Sequence, residues 1–246
     1  MNVLSSNLNL MIKAGEKASK RLIRDFGEVE NLQVSVKGTT DFVSNADTNA
    51  EKIIINELSK MKKNFSILSE ETGYIKNKDE KNIWIIDPID GTSNFLHGIP
   101  HFAISIALQS YDEIICGLIF DPIKNEMFYA EKNKGAFFNN QRIRVSKKNN
   151  LDNCLFATGG KMENEPNLQY RKSGCAALDM AYVASGRYDG CFQNNLNLWD
   201  IAAGIVLVKE AGGLLNEIDL SSNKNIKIIA STPNINTKLL EKIDNF

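Results

Sequence analysis

The sequence has few histidines, no closely spaced cysteines and no long apolar run, and each lack excludes a class of protein. Its 246 residues include 2 histidines and 4 cysteines, with no C-x-x-C pair. A histidine- or cysteine-rich zinc site is therefore not expected, whereas reduced thiols in a cytoplasmic protein are. The longest apolar runs, such as Ile114–Phe120, are far shorter than the ~20 residues of a membrane-spanning helix. Residues 1–10 lack the pattern of a signal peptide.

An excess of charge of one sign is also missing. Lysine and arginine total 29, and aspartate and glutamate total 30, so the formal net charge is −1. Broad electrostatic binding of nucleic acid needs a basic surface and is therefore not expected. Hydrophobic residues make up 43% of the chain and charged residues 24%. This composition and length are typical of a globular protein that folds around its own core.

Hydrophobic periodicity predicts helices first and then a run of strands in the first half. Asp47 or Thr48 is expected to cap the second helix, with Glu51 completing a capping box. Turns are expected at Tyr111-Asp112, Pro122 to Asn125 and Asn139-Asn140. The predicted elements are helices over 3–26 and 48–62, strands at Phe65–Leu68 and Ile83–Ile86, and several strands from Phe102 to Val145.

The second half alternates between strands and helices, and a soft boundary is expected near residue 147. The predicted elements are strands at Cys154–Thr158, Gly190–Gln193 and Ile226–Ala230, and helices at Cys175–Ser185, Asp200–Ala211 and Ile235–Ile243. We therefore predict an α/β fold of alternating helix and sheet layers, in which residues 1–147 and 148–246 form two halves of one compact unit.

One segment places several chemically active groups at the end of an apolar strand. The strand Ile83–Ile86 leads directly into Asp87-Pro88-Ile89-Asp90-Gly91-Thr92. Two carboxylates three residues apart repel each other unless a cation lies between them, and the segment contains no basic residue. All-oxygen ligation suits Mg²⁺, so the motif indicates a magnesium site. An Asp-rich turn held by its own hydrogen bonds is the alternative interpretation.

Other acids also lie at the ends of predicted elements. Glu70 and Glu71 follow the strand Phe65–Leu68, Asp200 opens a helix, and Asp47 precedes one. Each of these alone is typical of a solvated loop or a helix cap. Several such acids in one chain favour a shared metal site.

Two long motifs make the chain similar to the inositol monophosphatase family. Asp87 to Thr92 resembles the first signature of that family, and Trp199 to Gly204 resembles the second, which Glu210 to Gly213 continue. The resemblance covers nearly the whole chain, in order and at family spacing, and is closest to the bacterial branch. Shorter matches are Ser69-Glu70-Glu71, the segment Asp41 to Glu51, and Gly174 to Asp179.

The resemblance implies a layered α/β sugar-phosphatase fold and Mg²⁺-dependent hydrolysis of a phosphate monoester. It implies that Thr92 and Asp47 position and activate the attacking water, and that Glu70 takes its proton. Such hydrolysis is among the slowest uncatalysed reactions, so charge neutralisation and a strong nucleophile are both needed. Inhibition by lithium is implied as well. The implied metal ligands are Glu70, Asp87, the backbone carbonyl of Ile89, Asp90 and Asp200.

The expected substrate is inositol 1-phosphate or a similar small polyol or sugar phosphate. The metals and the Gly91–Thr92 backbone would hold the phosphate, and Arg171, Gln193 and Gly174–Ala176 would recognise the alcohol. Cys175 is expected to neighbour the substrate rather than to act as a nucleophile. The implied substrate contacts are Asp90, Gly91, Thr92, Arg171, Gly174, Cys175, Ala176, Gln193 and Asp200.

Two departures from the family pattern stand out. Gln193 occupies a position where members that act on inositol usually carry an acid, which predicts a KM for inositol phosphate about tenfold higher, lowered again by Gln193→Glu. The stretch 159–170 is shorter than in relatives, where it contributes to the dimer contact; a homodimer is still expected.

Other functions stay open at this point. The alternative substrates are fructose 1,6-bisphosphate, nucleotide 3′-phosphates and histidinol phosphate, because pocket shape rather than metal ligation selects the alcohol. A different class of function is that of a regulatory protein that binds transcription machinery, as some bacterial relatives do.

Overall fold

A computed structural model describes residues 4–32, 36–159 and 167–243, without the side chains of 30–32 and 36–44. Two long helices open the chain, α1 (Ser6–Leu32) and α2 (Val36–Lys62). An eight-stranded sheet follows, in the order β2-β1-β3-β4-β5-β6-β7-β8. Its elements are β1 (Phe65–Ser69), β2 (Gly73–Ile75), β3 (Asp79–Asp90), α3 (Thr92–Leu96), β4 (Ala103–Ser110), β5 (Glu113–Asp121), β6 (Glu126–Glu131), β7 (Gly135–Phe138) and β8 (Gln141–Ile143).

The second half contains a smaller sheet of five strands in the order β10-β9-β11-β13-β12. The predicted boundary near residue 147 falls between the two sheets. The elements are a 3-10 helix (Leu151–Asn153), β9 (Phe156–Thr158), β10 (Tyr170–Arg171), α4 (Ala176–Ala184), β11 (Gly190–Leu196), α5 (Leu198–Glu210), β12 (Leu214–Leu215), β13 (Ile226–Ser231) and α6 (Asn236–Lys242).

The layers follow from the alternation of side chains along the strands. On β4, Ile104 and Ile106 pack in a core with α1 and α2, whereas Ala103 and Ala107 face the core that contains α4 and α5. A third core joins α6 to the smaller sheet. The order of layers is therefore helix pair, sheet, helix pair, sheet and helix, which confirms the predicted layered α/β fold. No helix in the described ranges is long and apolar enough to cross a membrane.

The prediction for the start of the second helix was wrong. Helix α2 begins at Val36, so Asp47 and Thr48 lie inside it rather than at its end. The carboxylate of Glu51 does not complete a capping box either, because it accepts a hydrogen bond from the backbone N–H of Glu71 at 3.0 Å. Contacts with the chain that follows β1 therefore decide what these acids do.

A close approach between β5 and α5 gives a test of this packing. A Cβ atom added at Gly117 would lie 2.6 Å from the carbonyl oxygen of Ala203 and 2.7 Å from Val206 Cγ1. We expect Gly117→Ala to lower the free energy of unfolding by about 1–3 kcal/mol, because the core is overpacked. Urea denaturation measures this loss.

Gly27→Ala is the matched control, since a Cβ atom at this exposed position of α1 would meet nothing within 4 Å. It should raise the free energy of unfolding by about 0.5–1 kcal/mol through helix propensity alone. Equal effects at the two positions would contradict the packing described for α5.

Candidate active site

The parallel pairing of β1 with β3 brings the first two acids together. Ser69 pairs with Ile86, and the N–H of Glu70 donates to the carbonyl of Ile86 at 3.2 Å. Because parallel strands end at the same edge of a sheet, Glu70 and Asp87 emerge side by side. Asp87 is buried and Glu70 is partly open to solvent, and burial and the charge of Glu70 both raise the pKa of Asp87.

A tight turn carries the next groups of the motif. The ladder between β3 and β4 is interrupted between Asp87 and Asp90, where Pro88 has no N–H to donate. Inside the turn, Ile89 N–H donates to Asp87 Oδ1 at 3.0 Å, and Thr92 Oγ1 donates to the carbonyl of Ile89 at 2.9 Å. These bonds fix both the strand end and the hydroxyl.

Gly91 closes this turn against the second half of the chain. Its φ is +95°, and an added Cβ would lie 3.1 Å from the carbonyl oxygen of His101 and 3.3 Å from that of Gly174. Both the left-handed conformation and the close approach require glycine. The turn therefore contacts the segment around Gly174 directly.

Helix α5 brings Asp200 to the same place. Ser105 pairs with Asp87 across β3 and β4, and its hydroxyl donates to the carbonyl of Trp199 at 3.3 Å. Asp200 follows in the first turn of α5, where its Oδ2 accepts the N–H of Asn197 at 2.8 Å. The acid is thus held at a helix N-terminus, where negative charge is favoured.

Asp90 joins the motif to helix α4. Its Oδ2 accepts the N–H of Ala177 at 2.6 Å and the thiol of Cys175 at 3.0 Å. Burial raises the pKa of Cys175 well above its ordinary value, and the Asp90 carboxylate adds to this shift. Cys175 is therefore a neutral hydrogen-bond donor, which agrees with the expectation that it is not the nucleophile.

Helix α2 supplies another buried acid to this cluster. Asp47 is 3% exposed, and its Oδ1 has no hydrogen-bond partner. One turn later, Glu51 accepts the N–H of Glu71 and the hydroxyl of Thr72. Glu51 thereby holds the chain that carries Glu70 against the helix.

The pKa values show how unfavourable this gathering of acids is. Burial is the largest cause of the shift at each, and it raises the pKa of Asp47 to about 8, of Glu70 to about 7 and of Asp90 to about 7. Neighbouring carboxylates add to the increase at these three, as they do at Asp87, whose pKa is raised well above its usual range. Burial alone raises the pKa of Asp200 to about 6. The cluster stores like-charge repulsion that a bound cation would relieve.

The donor set fits a hard divalent cation by its chemistry. All the acids offer oxygen, the cluster carries excess negative charge, and Asp47 Oδ1 is a buried atom without a partner. Among the residues that the structure describes, however, no group of three histidine, cysteine, aspartate or glutamate side chains is placed so that it could hold a metal ion. The hydrogen bonds of Asp90 Oδ2 with Cys175 and Ala177 use an oxygen that a cation would take.

The residues predicted to recognise the alcohol differ in how the structure places them. Gly174 lies beside Gly91, and Cys175 and Ala176 stand at the start of α4 beside Asp90. Arg171 is exposed on β10, and its guanidinium donates to the carbonyl of Tyr170. The contact of Arg171 with substrate stays a prediction.

Gln193 occupies a more enclosed position than the sequence suggested. It is 4% exposed, and its Nε2 donates to Asp179 Oδ2 at 2.7 Å. The predicted contact of Gln193 with the alcohol stays a prediction, but its amide has a protein partner. Asp189, the acid nearest to it in sequence, instead bonds Lys148 and the N–H of Leu155.

Three residues of the site were missed as functional candidates. Asn94 donates to the carbonyls of His101 and Ser173, and Asp179 binds both Ser173 and Gln193. Glu51 was considered only as part of a cap. Asp179 belongs to the matched segment Gly174 to Asp179, and Asn94 follows the first motif. Their roles, however, depend on long-range contacts that the sequence does not show.

Comparison with known proteins shows the family to which the chain belongs. The model of the inositol monophosphatase family matches residues 3–245. An inositol-1-monophosphatase of Caulobacter vibrioides is 41% identical over an aligned length of 253 residues. The aligned region covers 95% of this chain and 99% of that protein. The Nus factor SuhB of Escherichia coli K12 is 37% identical over 246 residues, 93% of this chain and 92% of the relative.

A solved structure shows the same likeness in three dimensions. The extragenic suppressor protein suhB of Bartonella henselae is 43% identical, with a TM-score of 0.85 over 98% of this chain and all of that one. The sequence and the fold are thus those of a phosphatase. The chain belongs to the inositol monophosphatase family, whose members are in general metal-dependent.

The raised pKa values predict how the stability of the metal-free protein depends on pH. A carboxyl group whose pKa is higher in the folded state stabilises that state while it is protonated, and the benefit is lost as pH rises from the unfolded pKa through the folded one. For Asp200, Glu70, Asp90 and Asp47 the ordinary values are 3.8 to 4.5 and the folded values about 6 to about 8. Stability in excess chelator should therefore fall from about pH 5 to about pH 8.

Urea denaturation across this pH range measures the effect, and Asp47→Asn should flatten the decline because it removes one of the groups that titrates. Glu57, whose pKa is lowered to about 2 by Lys17 and Lys60, contributes a constant stabilisation in this range and does not mask the decline. Stability that rises with pH across the range would contradict the electrostatic description.

Proposed function

We propose that the protein is a Mg²⁺-dependent phosphomonoesterase that acts on inositol 1-phosphate or a similar small polyol or sugar phosphate. The observation that carries the proposal is the gathering of Glu70, Asp87, Asp90 and Asp200 beside the Gly91–Thr92 turn, with pKa values raised by burial. The name of the Caulobacter vibrioides relative supports the substrate class.

Five residues would hold the metal. Bound Mg²⁺ supplies positive charge for the phosphoryl oxygens and activates water as a nucleophile. Asp90 lies between the turn of β3 and the start of α4, so its ligation would lock the two halves together. The residues proposed as ligands are Glu70, Asp87, Asp90, Asp200 and the backbone carbonyl of Ile89.

Three side chains position the water and take its proton. The Thr92 hydroxyl donates to the carbonyl of Ile89, so its lone pairs remain to accept a hydrogen bond from water. Glu70 has a pKa of about 7 and can accept a proton at neutral pH. Asp47 lies close enough to Glu70 for that carboxylate to raise its pKa, and together with Thr92 it orients the water.

The substrate would lie across the contact between the two halves. The phosphate faces the Gly91–Thr92 backbone, and the alcohol faces Arg171 and the Gly174–Ala176 segment, on the side of the site where Gln193 lies. Fructose 1,6-bisphosphate and nucleotide 3′-phosphates are the enzymatic alternatives, since they need the same phosphate site and differ in the alcohol.

A homodimer, sensitivity to lithium and a cytoplasmic location belong to the same proposal. The four cysteines are free and buried, which is typical of a reducing compartment. Lithium inhibition rests on the match of the proposed ligands Glu70, Asp90 and Asp200 to the family motifs.

Association with transcription machinery is a second candidate, because a relative that is 37% identical is named a Nus factor. Both roles can coexist on one chain. Pull-down from lysate with the wild type and Asp90→Asn distinguishes a role that depends on the acidic site from one that does not.

The enzymatic proposal predicts complete metal dependence. With a panel of phosphomonoesters at neutral pH, activity should vanish in excess chelator and return with Mg²⁺. Asp90→Asn should lower kcat by about a hundredfold or more, because a charged ligand becomes neutral and losses of this size accompany even indirect changes at metal sites. Circular dichroism checks that the variant remains folded.

Asp219→Asn is the matched control, since Asp219 is exposed and bonds only to the nearby Ser221 among the contacts found for its side chain. It should keep wild-type turnover. Full turnover in excess chelator, or wild-type turnover by Asp90→Asn, would overturn the proposed metal ligation.

A further inference from the structure

Asp179 is a buried acid that the proposed hydrolysis does not use. It lies in the first turn of α4 and is 1% exposed. Each of its carboxylate oxygens accepts a hydrogen bond, Oδ1 from Ser173 Oγ at 2.7 Å and Oδ2 from Gln193 Nε2 at 2.7 Å. The side chain therefore ties β11 of the smaller sheet to the segment that precedes α4.

The connection continues into the first half of the chain. The carbonyl of Ser173 accepts a hydrogen bond from Asn94 Nδ2 at 2.9 Å, and the same amide donates to the carbonyl of His101 at 2.7 Å. Asn94 lies in α3, directly after the Gly91–Thr92 turn. A continuous line of hydrogen bonds thus runs from β11 through Asp179 and Ser173 to the turn proposed to hold phosphate.

The segment between these anchors has little freedom. Gly174 has a φ of +77°, and an added Cβ would lie 3.3 Å from Asn94 Nδ2. Its carbonyl oxygen is packed against Gly91, and the next residue, Cys175, donates to Asp90. A small shift of Ser173 would move Gly174 and Cys175 relative to the Gly91 turn.

We propose that Asp179 and Gln193 form a positioning pair that sets the Ser173–Cys175 segment and thereby the recognition of the leaving alcohol. The inference rests on the proposed function, because that segment is the part of the site assigned to the alcohol. Gln193 then acts through Asp179 rather than by direct contact with substrate.

The pair explains why an amide is suited to position 193. A carboxyl group placed there would lie about where Gln193 Nε2 lies, 2.7 Å from the carboxylate of Asp179. Two such groups must repel each other or share a proton. On the other side, Gln193 Oε1 would lie 2.7 Å from a Cβ at Gly159, so the pocket around the side chain leaves little room for it to turn away.

This proposal and the expectation from the sequence alone predict opposite results for Gln193→Glu. The family pattern predicts a lower KM for inositol 1-phosphate. The positioning pair predicts a KM about tenfold higher with kcat within about twofold, since the metal site is untouched and the alcohol side is displaced. The increase in KM should be smaller for glycerol 2-phosphate, because its smaller alcohol depends less on this segment.

The reciprocal variant supplies the sharpest test. Asp179→Asn combined with Gln193→Glu exchanges the amide and the carboxylate and so restores one acceptor and one donor group. The double variant should return the KM to within about threefold of wild type, a coupling that two independent sites would not show. Ser173→Ala removes the hydroxyl that Asp179 binds, together with its hydrogen bond from the N–H of Cys175, and should raise the KM as Gln193→Glu does.

Amide hydrogen exchange of residues 173–177 gives a readout that needs no turnover. Exchange should quicken in Gln193→Glu and in Ser173→Ala, and slow again in the double variant. Asp189→Asn is the control for loss of a buried carboxylate, because Asp189 is 1% exposed and bonds Lys148 and Leu155 N–H instead. It should lower the melting temperature without changing the KM or the exchange of this segment.

The outcomes separate the two proposals. If the wild type hydrolyses no phosphomonoester with Mg²⁺ but exchange changes as expected, the proposed function fails and the positioning pair stands. If Gln193→Glu lowers the KM, or the double variant shows no recovery, the pair is wrong. If Gln193→Glu does not fold, Ser173→Ala decides: unchanged KM and unchanged exchange would overturn the inference.

Discussion

The repulsion among closely gathered carboxylates is the constraint on which the rest of this structure depends. Asp87 and Asp90 come from one strand end, and Glu70 and Asp200 are brought to them by a parallel strand and a helix start. Burial raises the pKa of each, and at three of them a neighbouring acid adds to the increase. Such a cluster lowers the stability of the metal-free fold, so the surrounding structure must hold it in place.

The fold holds these acids with backbone groups rather than with basic side chains. Asn197 N–H binds Asp200, Ala177 N–H binds Asp90, and Ile89 N–H binds Asp87. Backbone donors fix the direction of a carboxylate while leaving the negative charge unneutralised. That is the arrangement expected of a site that reserves its negative charge for a cation.

The sequence predicted the motifs well because their chemistry is local. An apolar strand that ends in two acids, a proline and a glycine indicates its turn and its charge without any knowledge of the fold. The layered architecture and most long elements also followed from periodicity. Short elements such as α3 and β10 span too few residues for a periodic pattern to form.

What could not be predicted depends on contacts between distant segments. Asp47 has the sequence context of a helix cap, but α2 extends past it and turns it toward Glu70. The sequence position of Gln193 predicts a contact with substrate. In the structure its Nε2 donates to Oδ2 of Asp179, a residue of a different element, at 2.7 Å. In both cases the local pattern predicts a polar side chain but does not identify the residue that it contacts.

Proton release on Mg²⁺ binding tests the central claim most directly. If the raised pKa values describe this cluster, some of its carboxyls carry protons at about pH 7 and must lose them when the cation binds. Calorimetry in buffers of different ionisation enthalpy should show this release at about pH 7 and much less of it at about pH 9. Binding without proton release at either pH, or no binding at all, would contradict the account.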